Sequence, residues 1–380
     1  MARIDILLYA EDPSAANYAV LLLPAFARRG WSACLYAAAV ARDWLHARGV
    51  EFVETAADAD AHSLLRAIDP RCVLAGTAAN PATLGLRLID AAHDLGIPSA
   101  AFVDALMGAA NRFRGTTDDP LAHAPDTLLV PDSVTIEAFV RLGYPRERIF
   151  VCGHPQYDQT RALAVQWAGD GGSLGLRRRV FPEVDENRRI VAFISEGAPR
   201  FRRIPGRTLT DFGFEGRGID KGRTKIILEE ILDAAAGLAE KPYLVLRTHP
   251  TEQPGDYAEY NSEIDRISSD ASPLELVYGA DLTIGMTSML LLEAALLGRP
   301  TLAVLAGRSE IGHLPSVRNG VTPYVLNRID LRAMLPALLN KGGNSVAQET
   351  SRLLVSGAAD RVIEAIEGLI GGGGEGDTQL

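Results

Sequence analysis

The sequence predicts an α/β protein built from two doubly wound parallel-sheet domains, and three observations predict it. Short apolar, β-rich runs alternate with longer amphipathic stretches; the alternation starts afresh after a Gly-rich seam near residue 170; and glycines stand where helices must stop. A chain of 380 residues suits two or three domains, and a 47% hydrophobic composition is ample for two cores.

In the first half the strand candidates are Ile4 to Tyr9, Ala33 to Ala37, Phe52 to Glu54, Cys72 to Gly76, Ser99 to Asp104, Leu128 to Pro131 and Ile149 to Cys152. Ala19 to Arg29 and Pro81 to Leu95 carry helical spacing, with Gly30, Gly49 and Gly96 as stops. A second series follows: Ile190 to Ser195, Tyr243 to His249, Ile264 to Ile267, Leu282 to Ile284, Thr301 to Leu305 and Thr322 to Leu326. The seam runs from Val151 to Arg179, and residues 169–187 read as an irregular connector. The expected organisation is therefore one sheet domain over 1–155, a linker over 156–187 and a second sheet domain over 188–345. A helix over 346–370 is expected to lie back on the first domain, and the Gly-rich tail 371–380, which has nothing to bury, to be disordered.

A net charge of −10 argues against a nucleic-acid partner, whose binding draws most of its affinity from a basic surface. Cys34, Cys72 and Cys152 lie far apart inside apolar runs and read as core residues of a reducing compartment. The N-terminus begins a strand directly, and no apolar run approaches the ~18 residues of a membrane span, so a cytoplasmic protein is expected. Arg200, Arg202, Arg203 and Arg207 form a basic cluster that reads either as a solvated loop or as a grip on an anionic ligand or on lipid at a membrane surface.

Ligands of open parallel sheets bind beyond the carboxyl ends of the strands, and four such places carry suitable residues. Ser195-Glu196-Gly197 offers a carboxylate next to a residue that lets a ligand approach the backbone. Arg247-Thr248-His249-Pro250 leaves a histidine at a strand end. Thr287-Ser288 stands where a helix must start, so its hydroxyls read either as plain caps or as phosphate ligands beside free N–H groups. Glu293 interrupts the apolar run Leu290 to Ala295 and calls for a polar partner. The fourth place is the loop Ala10 to Asn17, with Asp12 and Asn17; Asn80 and Asp104 follow strands of the same domain and are weaker candidates for acceptor contacts. The loop lacks G-x-G-x-x-G, so dehydrogenase chemistry is not expected, and no zinc pair, Walker sequence or D-x-D motif appears. Phosphate binding is expected to need neither metal nor cofactor.

The segment Gly153-His154-Pro155-Gln156-Tyr157-Asp158, together with Ala280-Asp281 through Thr287-Ser288 to Glu293 and Gly298-Arg299-Pro300, resembles the GT-B superfamily of nucleotide-sugar enzymes. The order Glu196-Gly197, His249-Pro250, Thr287-Ser288 is similar to the short motifs of bacterial GT-B sialyltransferases and CDP-glycerol glycerophosphotransferases. That resemblance implies two Rossmann-like domains facing a crevice, 1–155 binding the acceptor and 188–345 the nucleotide donor, and a metal-independent transferase moving a sugar or polyol phosphate to an acceptor hydroxyl in glycan or polysaccharide biosynthesis. Glu196 would be the base, His249 the phosphate donor, Arg247, Thr287 and Ser288 further donor-nucleotide ligands, and Glu293 the ribose contact. The implied partners are a nucleotide sugar, CMP or CDP type ahead of UDP, and a glycan or lipid-linked acceptor. Departures are Ser195 in place of a first acid and Thr287 in place of serine. An alternative on the same fold is a UDP-N-acetylglucosamine 2-epimerase, which usually carries Ser-Gly-Gly where this chain has Thr287-Ser288-Met289 and which needs acid/base groups in the first domain. A non-catalytic sugar-nucleotide-binding module is the third reading.

Overall fold

The computed structural model describes residues 3–77, 80–104, 108–197, 213–218, 222–269, 272–341 and 355–372. They fall into two units, residues 1–159 with 354–380, and residues 160–353.

Unit 1 holds β1 (Ile6–Ala10), α1 (Pro13–Arg29), β2 (Ala33–Ala37), α2 (Ala39–His46), β3 (Val53–Glu54), α3 (Ala61–Ile68), β4 (Cys72–Gly76), α4 (Leu84–Leu95), β5 (Ser99–Phe102), β6 (Thr127–Val130), α5 (Ser133–Arg141) and β7 (Ile149–Val151). The strands form one sheet in the order β3-β2-β1-β4-β5-β6-β7, with every neighbour parallel. Helices cover both faces, so β1 and β6 are buried at every position, as continuous apolar strands of such sheets must be. Asp12 caps α1 by accepting the Ala15 N–H at 2.8 Å, and Pro13 starts the helix without wasting an N–H.

Helix α6 (Pro155–Gly169) carries the chain across the boundary between the units. Unit 2 continues with α7 (Gly172–Val180), β8 (Ile190–Ile194), α8 (Arg223–Ala236), β9 (Tyr243–Arg247), β10 (Arg266–Ser268), α9 (Pro273–Gly279), β11 (Leu282–Gly285), α10 (Met289–Leu296), β12 (Thr301–Val304), α11 (Pro315–Arg318), β13 (Tyr324–Val325) and α12 (Arg328–Lys341). Its sheet is parallel, in the order β10-β9-β8-β11-β12-β13. Helix α13 (Ala358–Gly372) ends the described chain and belongs to unit 1, where Val362, Ile363 and Ile366 join Leu22 and Phe26 of α1 in the core.

Two expectations need correction. Residues 169–187 are not an irregular connector: α7 occupies Gly172–Val180, because Leu176 and Phe181 bury in the unit 2 core and Arg177 donates to Asp281 at 2.7 Å. Gly-rich composition suggested a loop, and tertiary burial overrode it. The last helix starts at Ala358 rather than near 346, with residues 342–354 outside the described set. The basic cluster at 200–207 and the tail from 373 also lie outside it.

Candidate functional site

In both sheets the chain winds out one way from the first strand and then returns to its other side, which creates a switch point between β1 and β4 and another between β8 and β11. At such a point the connections leave in opposite directions and open a space at the strand ends. Both switch points carry polar clusters.

In unit 2, Glu196 follows β8 and Thr287 follows β11. One carboxylate oxygen of Glu196 accepts the Thr287 N–H, and the other accepts the Thr287 hydroxyl at 2.9 Å. Ser288 caps α10 by accepting the Leu290 N–H at 3.3 Å, and Gly298 ends the segment in the left-handed region at φ 75°. The Glu196 carboxylate thus lies at the positive end of a helix, where an anion is stabilised. Arg223, the first residue of α8, stands 3.3 Å from Glu196 and 2.9 Å from Glu310, which in turn accepts the Ala306 N–H at 2.8 Å. The side chains of Glu196, Arg223 and Glu310 are only 16–17% exposed, so this carboxylate, guanidinium and carboxylate row is largely shielded from water. Among the described residues the buried Arg223 Nε finds no acceptor.

His249 lies beside this row. A Cβ on Gly197 would come within 2.7 Å of His249 Nδ1, so the Glu-Gly turn needs glycine for lack of room. The Thr251 N–H points at Nδ1 from 3.2 Å and can only donate. The Thr251 hydroxyl lies 2.7 Å from the same nitrogen, so Nδ1 is engaged within the turn and Nε2 is the nitrogen that can meet a ligand. Beneath, Glu252 accepts the His249 N–H at 2.9 Å and the Tyr257 hydroxyl at 2.8 Å, with Ser195 as a third donor. Burial and the Glu252 charge keep the Tyr257 phenol protonated far above its usual range.

Unit 1 fills its switch point differently. Glu11, after β1, is 8% exposed and accepts Tyr9 O–H at 3.1 Å, Asn80 N–H at 2.8 Å and the Thr83 hydroxyl. Beyond β5, Asp104 accepts the Ser14 hydroxyl at 2.6 Å and faces Arg112 at 2.8 Å, while Arg112 also donates to Thr77 at 2.6 Å. Burial pushes the Asp104 carboxyl upward, but Arg112 and Ser14 outweigh it and hold it below the ordinary range. Burial raises Asp12. Burial also pushes the His154 imidazole, stacked on Tyr157, down to about 4.

Of the residues singled out from sequence, Glu196, His249, Thr287 and Ser288 come together at one end of the unit 2 sheet. Arg247 ends β9 and donates to the Ser268 carbonyl at 3.1 Å on the β10 side. Glu293 lies half-buried on α10. In unit 1, Asp12 serves as a helix cap, Asn17 donates to Gln156, Asn80 holds Glu11 and Asp104 pairs with Arg112. Sequence reasoning missed Arg223, Glu310 and Glu252 in unit 2, and Thr77 and Arg112 in unit 1; Glu11 lay within the candidate loop Ala10 to Asn17 but was given no role. Glu252 carried a faint signal, three residues past His249 in the His-Pro turn; Arg223 and Glu310 carried none. Among the described residues no group of three or more His, Cys, Asp or Glu could hold a metal, and no helix is long and apolar enough to cross a membrane.

Solved structures share this architecture over nearly their whole length. The UDP-GlcNAc 2-epimerase of Neisseria meningitidis, bound to UDP-GlcNAc, matches with a TM-score of 0.64 at 13% identity, covering 96% of this chain and 99% of its own. The UDP-GlcNAc 2-epimerase of Methanocaldococcus jannaschii matches at 0.65 and 15%, with 96% and 99% covered. Anabaena HepE, in complex with UDP, matches at 0.59 and 12%, with 96% and 100% covered.

The chain has the GT-B fold.

At such identities the likeness establishes the GT-B architecture and no more. No protein-family model and no curated protein sequence matches the chain. The finer resemblance to sialyltransferases and CDP-glycerol glycerophosphotransferases gains no support, because the GT-B neighbours above are epimerases or a UDP-bound protein. Motifs of two or three residues fit many members of one fold, so they did not separate these branches.

Proposed function

We propose that this chain is an enzyme acting on a nucleotide-activated sugar, and that unit 2 holds the nucleotide's phosphates at the start of α10. The observation that carries this reading is the convergence of Thr287, Arg223 and His249 at one switch point. A nucleoside diphosphate leaving an anomeric carbon takes the bonding electron pair onto its terminal phosphate oxygen. The N–H groups of α10, the Arg223 guanidinium and the His249 Nε2–H are the groups that would stabilise that charge.

Several reactions begin with this departure, and we place a UDP-sugar 2-epimerase or hydrolase ahead of a transferase. Two things support that order: the epimerases that share the fold, and the position of Glu196. Its carboxylate already accepts three donors, as suits a group that organises the site better than one free to take a proton from an acceptor. Inversion at C2 also needs a group that takes the C2 proton and returns it on the other face. On this reading the expected nucleotide is UDP rather than CMP or CDP. The transfer reading keeps one specific observation, the Thr287-Ser288-Met289 turn where epimerases usually have Ser-Gly-Gly.

Incubation with UDP-N-acetylglucosamine in D2O, followed by proton NMR, tests the choice. Epimerisation breaks the C2–H bond, so the expected product is a 2-epimer carrying deuterium at C2, or free sugar and UDP without any acceptor. Consumption that starts only when a glycan acceptor is added, with C2 unlabelled, would hand the chain to the transferases. Tight UDP binding with no turnover under either condition would leave a binding module.

A further inference from the structure

Glu252 has no part in the chemistry above, yet its carboxylate lies where two turns of the site meet. One oxygen accepts the His249 N–H at 2.9 Å and the Ser195 hydroxyl; the other accepts the Tyr257 hydroxyl at 2.8 Å. The Ser195 and Tyr257 oxygens are themselves 2.6 Å apart, and both residues are buried. In return the Glu252 N–H donates to the His249 carbonyl at 2.9 Å, which closes the His-Pro turn on itself. Ser195 is the residue before Glu196-Gly197, so a single carboxylate ties the end of β8 to the turn after β9.

We propose that Glu252 is the positioning residue of His249, fixing the His-Pro turn against the Glu-Gly turn and thereby the direction of the Nε2–H. The proposal rests on the reading of His249 as a phosphate donor. Two features make aim matter here. The imidazole packs so close to Gly197 that a Cβ there would stand 2.7 Å from Nδ1. A displacement of about 1 Å in such a group is enough to lose most of its effect on a bound phosphate. Glu252 is suited to the task because both its oxygens are used: one receives the backbone N–H of His249, and the two hydroxyls hold the carboxylate against swinging away.

The test is a double-mutant cycle on the full chain, with UDP binding read by calorimetry. Glu252→Ala is expected to weaken UDP by about tenfold, the size of one misaligned charged or polar contact, and to do almost nothing in a His249→Ala background. Glu252→Gln should recover most of the loss, since its amide oxygen can still accept the His249 N–H while the Tyr257 hydroxyl reverses its role. Tyr257→Phe, which leaves no cavity, should give a smaller loss that also disappears without His249, and it stands in should the alanine variant fold poorly. Equal losses with and without His249, or a glutamine variant no better than alanine, would overturn the positioning role and leave the phosphate site intact. Unchanged UDP affinity in His249→Ala would overturn the phosphate reading and this proposal with it.

Discussion

Units 1 and 2 share a strand order around their switch points, and each puts a glutamate just after its first strand. Glu11 of unit 1 is sealed among neutral donors, Tyr9, Asn80 and Thr83. Glu196 of unit 2 sits on the start of a helix and against a guanidinium, with part of its surface open. The difference teaches that a switch point supplies the space but not the chemistry. What makes one end of a sheet an anion site is the aligned N–H groups of a helix start together with an arginine brought in from another element. In unit 1 the arginine, Arg112, is spent on Asp104, so the cluster there is balanced within itself.

Variants in the two units should therefore separate cleanly. The largest effect is expected for His249→Ala, with turnover of the nucleotide sugar falling by about 100- to 1000-fold in an assay of UDP release, while thermal unfolding stays near that of the parent. Arg223→Ala should weaken UDP binding by about 10- to 100-fold, as losing a charge-assisted contact does; retained affinity would mean that Arg223 serves only to bridge Glu196 and Glu310. In unit 1, Glu11→Gln turns an amide N–H toward donors and should lower unfolding free energy by about 1–3 kcal/mol in urea titrations without changing UDP affinity. Glu196→Gln removes a carboxylate that competes for the Thr287 donors, so UDP should bind about threefold tighter. Loss of turnover with affinity unchanged would restore Glu196 as a base.

The smallest effect concerns pH. His154 is held neutral by burial, its imidazole lowered from 6.5 to about 4. Between those values the unfolded chain binds the extra proton, so stability is fully present above pH 6.5 and falls as pH drops toward 4. Asp104, whose charge faces the ring, moderates the loss. Denaturant midpoints measured across that window should fall less steeply for His154→Gln, and an unchanged slope would show that His154 takes no part.

The strands were the most legible part of the chain. Every strand candidate named above overlaps a strand, because a parallel sheet covered on both faces demands continuous apolar segments. Thr287, Ser288, His249 and Glu196 were legible for a related reason: they directly follow strands. Arg223, Glu310 and Glu252 were not. Arg223 lies 27 residues from Glu196 and Glu310 lies 87 residues from Arg223, distances over which sequence carries no sign of contact. The helix α7 was misread because its glycines outweighed Leu176 and Phe181, whose burial is a property of the assembled unit.

The start of α10 shows the division most plainly. The sequence by itself determined that a short strand would begin at Leu282, that a hydroxyl residue would stand at the start of the next helix, and that Gly298 would stop the segment, since each follows from local backbone preference. Only the tertiary structure decided which groups meet there. The order of strands sets β8 against β11 and brings the start of α8 to the same end, so a carboxylate, a guanidinium and a histidine far apart in the chain share one helix N-terminus. Local preference acts between residues a few positions apart; charge and hydrogen bonding act between whatever the sheet brings together.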